Sequence, residues 1–592
     1  MRTRNMLRES SVFLALFTAI SGVSAAPPSH GAHSSPACRY LPSDSGWPSQ
    51  TDWAKLNRTV HGRLLKGEPL GQSCYGEHAN GEACEEIVST WETMQPFLND
   101  PVNVISMYYE NNTCNPFHGP LSPVKPEIVT NSTCSLGGLA YYAINVSDAA
   151  TAIAGVNFAR KNNVRLIIKN TGHDALGRST GKGALALWTH NMKSVSFLNY
   201  SSSRYTGPAA RVGAGIQVSE LYEAAAAKGY RSTGGTCDSV GVAGGWVQSA
   251  GHGPLASAYG LGSDQTLEFE VVTTDGKHLV ASPTKHSDLY WALSGGGPGN
   301  YAIVLSVTLK VYPDGQVAGS RLTFVESDEK KYWTAVEAWQ KHLLNVLDAI
   351  PGFQSLVALA SGGVFQLNYA TLPDASKTDL ITALTPFYDE LASLGISVTF
   401  NETVVHDTYL GHYKYYEGND FDSRNATVGD RMIPRSLVSN ATHLSQLTDI
   451  YKGLLETENS FIYLISHNVT HARVGNKAGD NAVLPAWRDS LYIANFGVTG
   501  DPLASFTELE EQVSLVNKWQ VDLHDVTPGG GSYMNEAIFG FPYWKDDYFG
   551  ETYDKLRAIK NKYDPKHVLW AASSPGSVEA YELQEDGHLC KP

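Results

Sequence analysis

Several things are scarce or missing in this chain of 592 residues, and each narrows what it can be. Beyond residue 25 no stretch reaches the roughly 18 unbroken apolar residues of a membrane helix, so no membrane anchor is expected. Positive charge is in deficit: 44 Lys and Arg stand against 59 Asp and Glu, a net charge of −15. Nucleic-acid binders need basic patches, so no nucleic-acid partner is expected. No Gly-x-Gly-x-x-Gly lies where a strand would run into a helix, which disfavours a Rossmann dinucleotide site. There is no internal repeat, and no low-complexity tract outside the N-terminus. Cysteine is rare after residue 134, where only Cys237 and Cys590 remain.

What is present speaks first of export. Arg2, Arg4 and Arg8 flank an apolar core over 11–23 that is too short to span a membrane, and Val23-Ser24-Ala25 supplies small residues for cleavage. Residues 1–25 therefore read as a secretory signal, and the protein is expected outside the cell. Sequons at Asn57, Asn111, Asn131, Asn145, Asn199, Asn401, Asn425, Asn440 and Asn468 agree, and their spread predicts a glycosylated surface. In an oxidising compartment Cys38, Cys74, Cys84, Cys114, Cys134 and Cys590 can form three bridges, in about 15 connectivities that the sequence leaves open. Cys237 is the odd one. It is either a buried inert thiol or a covalently used one.

A chain this long exceeds one core, so two large domains follow an N-terminal segment. Residues 26–36 have the composition of a disordered leader. The disulfide-rich segment over 26–120 reads as a cap without chemistry of its own. Over 121–313 a helix at 148–161, with Asn145 or Ser147 near its N-cap, alternates with strands at 164–169, 210–218 and 302–311. Asp275-Gly276 between 267–274 and 279–281 marks a hairpin. Over 314–530 four helices (330–347, 375–394, 443–457, 502–519) interleave with strands at 322–325, 364–369, 397–403, 461–467 and 490–496. Residues 531–592 are expected to fold back onto the first domain. The class is α+β.

The chemistry gathers where strand 164–169 ends in Asn170-Thr171-Gly172-His173-Asp174. Gly172 can take positive φ, which lets backbone N–H groups converge on an anion. Gly172-x-x-x-x-Gly177-Arg178-Ser179 nearly copies a phosphate loop, but Thr180-Gly181-Lys182-Gly183 is no helix start, and that reading needs a helix. A surface turn with a solvated His173, or a flavin loop with His173 facing the ring, remain. A second cluster decides between them: 234–264 and 295–301 are dense in glycine, which brings backbone close to a large flat ligand.

Here the chain resembles the berberine-bridge-enzyme-like branch of the vanillyl-alcohol oxidase / p-cresol methylhydroxylase flavoproteins. The resemblance rests on Thr171-Gly172-His173-Asp174, Cys237-x-x-Val240-Gly241-x-x-Gly244-Gly245, Asp264, Asn300-Tyr301-x-Ile303-Val304, Tyr533-x-Asn535 and Lys560-x-Lys562-Tyr563-Asp564-Pro565. It implies a two-subdomain PCMH-type FAD-binding domain over 121–313, an antiparallel-sheet-and-helix substrate domain over 314–530, and a berberine-bridge-like return over 531–592. It implies FAD bonded to His173 and to Cys237. Asn170, Thr171, Gly172, Asp174, Ser179, Val240, Gly241, Gly244, Gly245, Gly251, Gly262, Asp264, Tyr301, Ile303 and Asn535 would hold it. Val240 matches a position where a small Val accompanies oxygen access.

The departures carry as much information. Glu536 replaces a tyrosine that follows Tyr-x-Asn in many members, and a half-buried carboxylate can act as base; a surface ion pair is the plainer alternative. Trp246 replaces the usual His, and His252 is either a substrate contact or a structural histidine. The expectation is an oxidase of an aliphatic, aromatic or sugar alcohol, with Glu536 or else Tyr533 taking the hydroxyl proton, hydride passing to the flavin and O2 giving hydrogen peroxide. No metal is expected. A dehydrogenase or oxidative cyclase on the same fold, and a non-catalytic flavin-bearing binding protein, are the alternatives. Tyr409–Tyr416 is the one run in the second domain worth watching as a substrate platform, although an amphipathic element face explains it equally.

Overall fold

Strand Leu166–Lys169 closes one side of a four-stranded sheet ordered Leu64–Lys66, Tyr142–Asn145, Leu185–Trp188, Leu166–Lys169. The last three strands run parallel, so the chain must cross between them, and helix Ala149–Asn162 makes that crossing. Asp148, one residue past Ser147, is its N-cap and exchanges hydrogen bonds with Thr151. Ala152, Val156 and Ala159 recur at helical spacing and are buried against the sheet. The computed structural model describes residues 38–592 except 112, 124–133, 419–423 and 425. The signal over 1–25, the leader over 26–36 and the sequons at Asn131 and Asn425 lie outside the described residues.

A five-stranded antiparallel sheet follows, ordered Val195–Ser201, Thr206–Gly213, Ile303–Lys310, Thr266–Val272, His278–Ala281. The hairpin expected at Asp275-Gly276 forms, with Gly276 at φ +83°. The strand expected over 210–218 ends at Gly213, and Val218 already opens the next helix.

Residues 317–499 supply a seven-stranded sheet, antiparallel throughout: Val398–His406, Val317–Val325, Val364–Pro373, Gln354–Ala360, Ser460–Ser466, Ser490–Thr499, Ala426–Pro434. Helices Glu329–Ala349, Lys377–Ser393, Ala441–Leu455 and Phe506–Val526 accompany it. Two strands were invisible in the pattern. Gln354–Ala360 is too rich in Ala and polar residues. Ala426–Pro434 carries Gly429, Asp430 and Arg431 in a position buried on both faces, where apolar side chains are the rule.

The C-terminal segment does fold back. Leu569 bridges the open edge of Leu166–Lys169, Arg39 N–H donates to the Leu589 carbonyl, and Cys38 is bonded to Cys590. Cys74–Cys84 and Cys114–Cys134 complete the three disulfides. The N-terminal cap also reaches the functional loop: the wholly buried Lys169 ammonium donates to the carbonyls of Phe97 (3.1 Å) and Asp100 (2.6 Å). One sequon is corrected by packing. Asn468 is buried, its amide donating to Leu347 and Asp348, so it cannot carry a glycan in this fold, whereas Asn111, Asn199, Asn401 and Asn440 are exposed.

Candidate active site

The loop after Leu166–Lys169 forms no helix, so the phosphate-loop reading fails on its structural condition. Gly172 sits at φ +90°. The Asn170 side chain donates to the Thr189 hydroxyl and the Ala214 carbonyl. The glycine-rich segment closes directly over it: a Cβ on Gly241 would stand 2.2 Å from Asn170 Oδ1, and one on Gly244 2.9 Å from Asn170 Cγ. Only glycine allows that approach.

Between the two segments lies a cavity of about 290 Å³. Asn170, Thr171, Gly172, His173, Asp174 and Ser179 line it from the loop. Cys237, Val240, Gly241, Gly244 and Gly245 line it from the glycine-rich segment, and Tyr533, Asn535 and Glu536 from the C-terminal return. His173 Nε2 lies 2.7 Å from Ser239 Oγ, and Cys237 is the one cysteine outside the disulfides.

Five expected cofactor contacts lie outside this lining, each for a visible reason. Gly251 and Gly262 make room for Trp246: a Cβ would stand 2.9 Å and 2.4 Å from its ring. The indole that replaces the usual histidine is thus built into the wall, its Nε1 donating to the His252 carbonyl. The buried Asp264 carboxylate takes two bonds from Arg488 and one each from Asn476 and Asn481, which fastens 262–265 to a loop of the neighbouring region. Tyr301 donates to the Gly296 carbonyl, and Ile303 is buried within its strand.

The sequence missed Arg178. It pairs with Asp174 (2.6 Å) and donates to the Met534 carbonyl and Asn535 Oδ1. Asn535 in turn donates to the Gly245 carbonyl and the Tyr533 hydroxyl. One buried guanidinium therefore locks the His173 loop, the glycine-rich wall and the C-terminal return together. The Asp174/Arg178 spacing of four was the available signal.

Glu536 Oε1 meets His252 Nε2 at 2.7 Å, and Asn495 donates to Oε2 at 3.4 Å. His252 is thus a partner of the carboxylate. The buried Tyr533 phenol is pushed far up, first by burial and then by the Glu536 charge, which disfavours its ionised form. Tyr533 N–H donates to Asp430 (2.7 Å), whose buried carboxyl is itself pushed up by burial.

A second cavity, about 330 Å³, adjoins the first and shares His173, Cys237, His252, Val428 and Glu536 with it. Strands of the seven-stranded sheet wall it, with Ile105, Ser106, Tyr108 and Tyr109 of the N-terminal cap, so the cap does more than staple. Helix Tyr409–Tyr416 lines neither cavity. Tyr413 donates to Thr236 and Asp238 (2.7 Å each) and so braces the turn that carries Cys237.

The first cavity suits a flat cofactor with polar edges. At Gly245 and Gly299 a Cβ would meet nothing nearer than 3.9 Å, leaving backbone open to a ligand, and the buried Asn170 Oδ1 has no hydrogen-bond partner. Open glycine backbone and an unpartnered amide oxygen fit a ligand that carries hydrogen-bond donors on its edge, as a flavin ring does. Comparison with known proteins agrees. Residues 141–282 match the FAD binding domain family, and 532–574 the berberine and berberine-like family. The VAO-type flavoprotein oxidase VAO615 of Thermothelomyces thermophilus is 39% identical over 590 residues, 97% of this chain and 99% of its own. A bifunctional decalin synthase of Penicillium decumbens is 38% identical over 572 residues, 94% of this chain and 96% of its own. The crystal structure of VAO-type flavoprotein MtVAO615 from Myceliophthora thermophila C1 aligns with a TM-score of 0.88 at 38% identity, over 94% of this chain and 100% of that one. The chain belongs to the berberine-bridge-like, VAO-type family of FAD-linked oxidoreductases.

Proposed function

We propose that the protein is a secreted alcohol oxidase, with FAD joined to His173 and Cys237, a small-molecule alcohol as substrate and dioxygen as acceptor. The residues around the first cavity, among them Asn170, Gly241, Gly244 and Asn535, would hold FAD, which would supply the hydride acceptor and the route of two electrons to dioxygen, with hydrogen peroxide as the co-product. Glu536 takes the hydroxyl proton. His252, 2.7 Å away, holds one carboxylate oxygen and Asn495 the other, so the base is oriented before substrate arrives. Tyr533 keeps its proton and packs against the His252 ring at 5.1 Å. Arg178 and Asn535 fix the turn that carries the base. Export is supported by the basic-then-apolar N-terminus and by three disulfides.

The observation that carries the proposal is the Glu536–His252 pair at the junction of two cavities that His173 and Cys237 also border. Replacing Glu536 by Gln should slow anaerobic flavin reduction by about 10²–10⁴; a rate close to that of the parent would remove Glu536 from the chemistry. Peptide masses at 173 and 237 test the attachment separately, and two unmodified peptides would overturn it. A second reading, oxidative cyclisation, is favoured by the 38% identity to the decalin synthase. Peroxide yield per turnover and ring analysis of the product distinguish the two.

A further inference from the structure

We propose that the substrate carries its reacting hydroxyl on an apolar body, an aliphatic, alicyclic or aryl alcohol, and that carbohydrates are excluded. This rests on the alcohol-oxidase reading above and narrows it. The wall of the second cavity is the face of the sheet. Phe461, Tyr463 and Ile465 alternate along strand Ser460–Ser466 and so present the same side. Leu356, in register with Ile465, extends the surface, and Val428 and Val513 close it. Gly497 lies opposite both Phe461 and Val428, and a Cβ there would stand 2.9 Å from Phe461 Cζ, so the glycine gives the phenyl ring its place.

Several polar groups in that wall are already engaged. Thr427 donates to Gln512 and Asn495 to Glu536. The Arg424 guanidinium donates to the carbonyls of Ile105 and Val104 and stacks on Phe97 at 3.5 Å. The buried Tyr109 hydroxyl has no hydrogen-bond partner and is left for at most one further polar group. A sugar entering here would give up water at several hydroxyls and regain few hydrogen bonds. An apolar skeleton loses nothing comparable and gains contact area. The reacting hydroxyl belongs at the Glu536–His252 junction, and Tyr109 leaves room for one further polar group beside the apolar face.

The test is anaerobic calorimetry on the holoenzyme, titrated with octan-2-ol and with cellobiose, while flavin bleaching is followed in parallel. Octan-2-ol should bind at least about tenfold more tightly than cellobiose, and Phe461→Ser should weaken octan-2-ol binding by about tenfold with cellobiose unaffected. Equal or tighter binding of cellobiose, or no heat with either, overturns the inference. Bleaching by cellobiose alone also overturns it while leaving the oxidase reading intact. Binding of octan-2-ol without bleaching by any alcohol of a wider aliphatic and aryl panel upholds the apolar cavity and defeats the oxidase reading.

Discussion

The two cavities that meet at Glu536 are walled in opposite ways. The cofactor side is made of backbone: Gly172, Gly241, Gly244 and Gly245 line it, and where Asn170 passes beneath, even a methyl group has no space. The far side is made of side chains standing on a sheet, Leu356, Phe461, Tyr463 and Ile465. Backbone walls suit a ligand that never changes, since they offer fixed N–H and C=O groups at close range. Side-chain walls can be exchanged residue by residue without altering the sheet that carries them. On the proposed function, the contrast divides the site into a part that would fix the cofactor and a part that would choose the substrate.

The largest structural effect should come from the clamp that joins both parts. Arg178→Met would leave the Asp174 carboxylate with the backbone N–H of residue 178 but no countercharge, at a cost of about 3–5 kcal/mol, visible as a fall in the denaturation midpoint together with lost flavin. A change below 1 kcal/mol would mean that the three segments hold together without it. Next comes the backbone wall. Gly241→Ala should cost about 1–3 kcal/mol through the clash with Asn170 and lower flavin content. Val240→Leu should slow reoxidation by dioxygen by about tenfold, about 1.4 kcal/mol in barrier, with anaerobic reduction unchanged; an unaltered oxygen rate would remove Val240 from oxygen access. Smallest should be Ile465→Val on the sheet wall, about 0.5–1.5 kcal/mol, with full flavin content. If Ile465→Val costs more than Gly241→Ala, the contrast between the walls is reversed.

Much of the cofactor side was legible because its signals are local. A strand ending in Thr171-Gly172-His173-Asp174, and glycines crowded over 234–264, are visible without any knowledge of what they face. The resemblance also named Gly251, Gly262, Asp264, Tyr301 and Ile303, which lie outside the lining of the first cavity. Gly251 and Gly262 pack around Trp246 and Asp264 pairs with Arg488, and a glycine packed against an indole looks in sequence like one packed against a ligand. The substrate side was illegible. Its lining comes from residues more than 300 positions apart, Ile105 to Asn495, and the strand Ala426–Pro434 hides behind buried charges at Asp430 and Arg431. Arg178 was misjudged for a related reason. Its partners Met534 and Asn535 are 356 and 357 positions away.

By itself the sequence determined that a histidine loop follows a buried strand, that six of seven cysteines could pair, and that glycine would dominate one wall. These depend on neighbours within a few residues, where steric freedom and spacing are written directly in residue type. Only the tertiary structure decided that His252 grips Glu536, that Trp246 is masonry, and that a sheet face from the second half of the chain meets the loop of the first. Those are encounters across hundreds of residues. Their geometry is set by how whole sheets and helices bury their apolar faces, a balance that no local pattern contains.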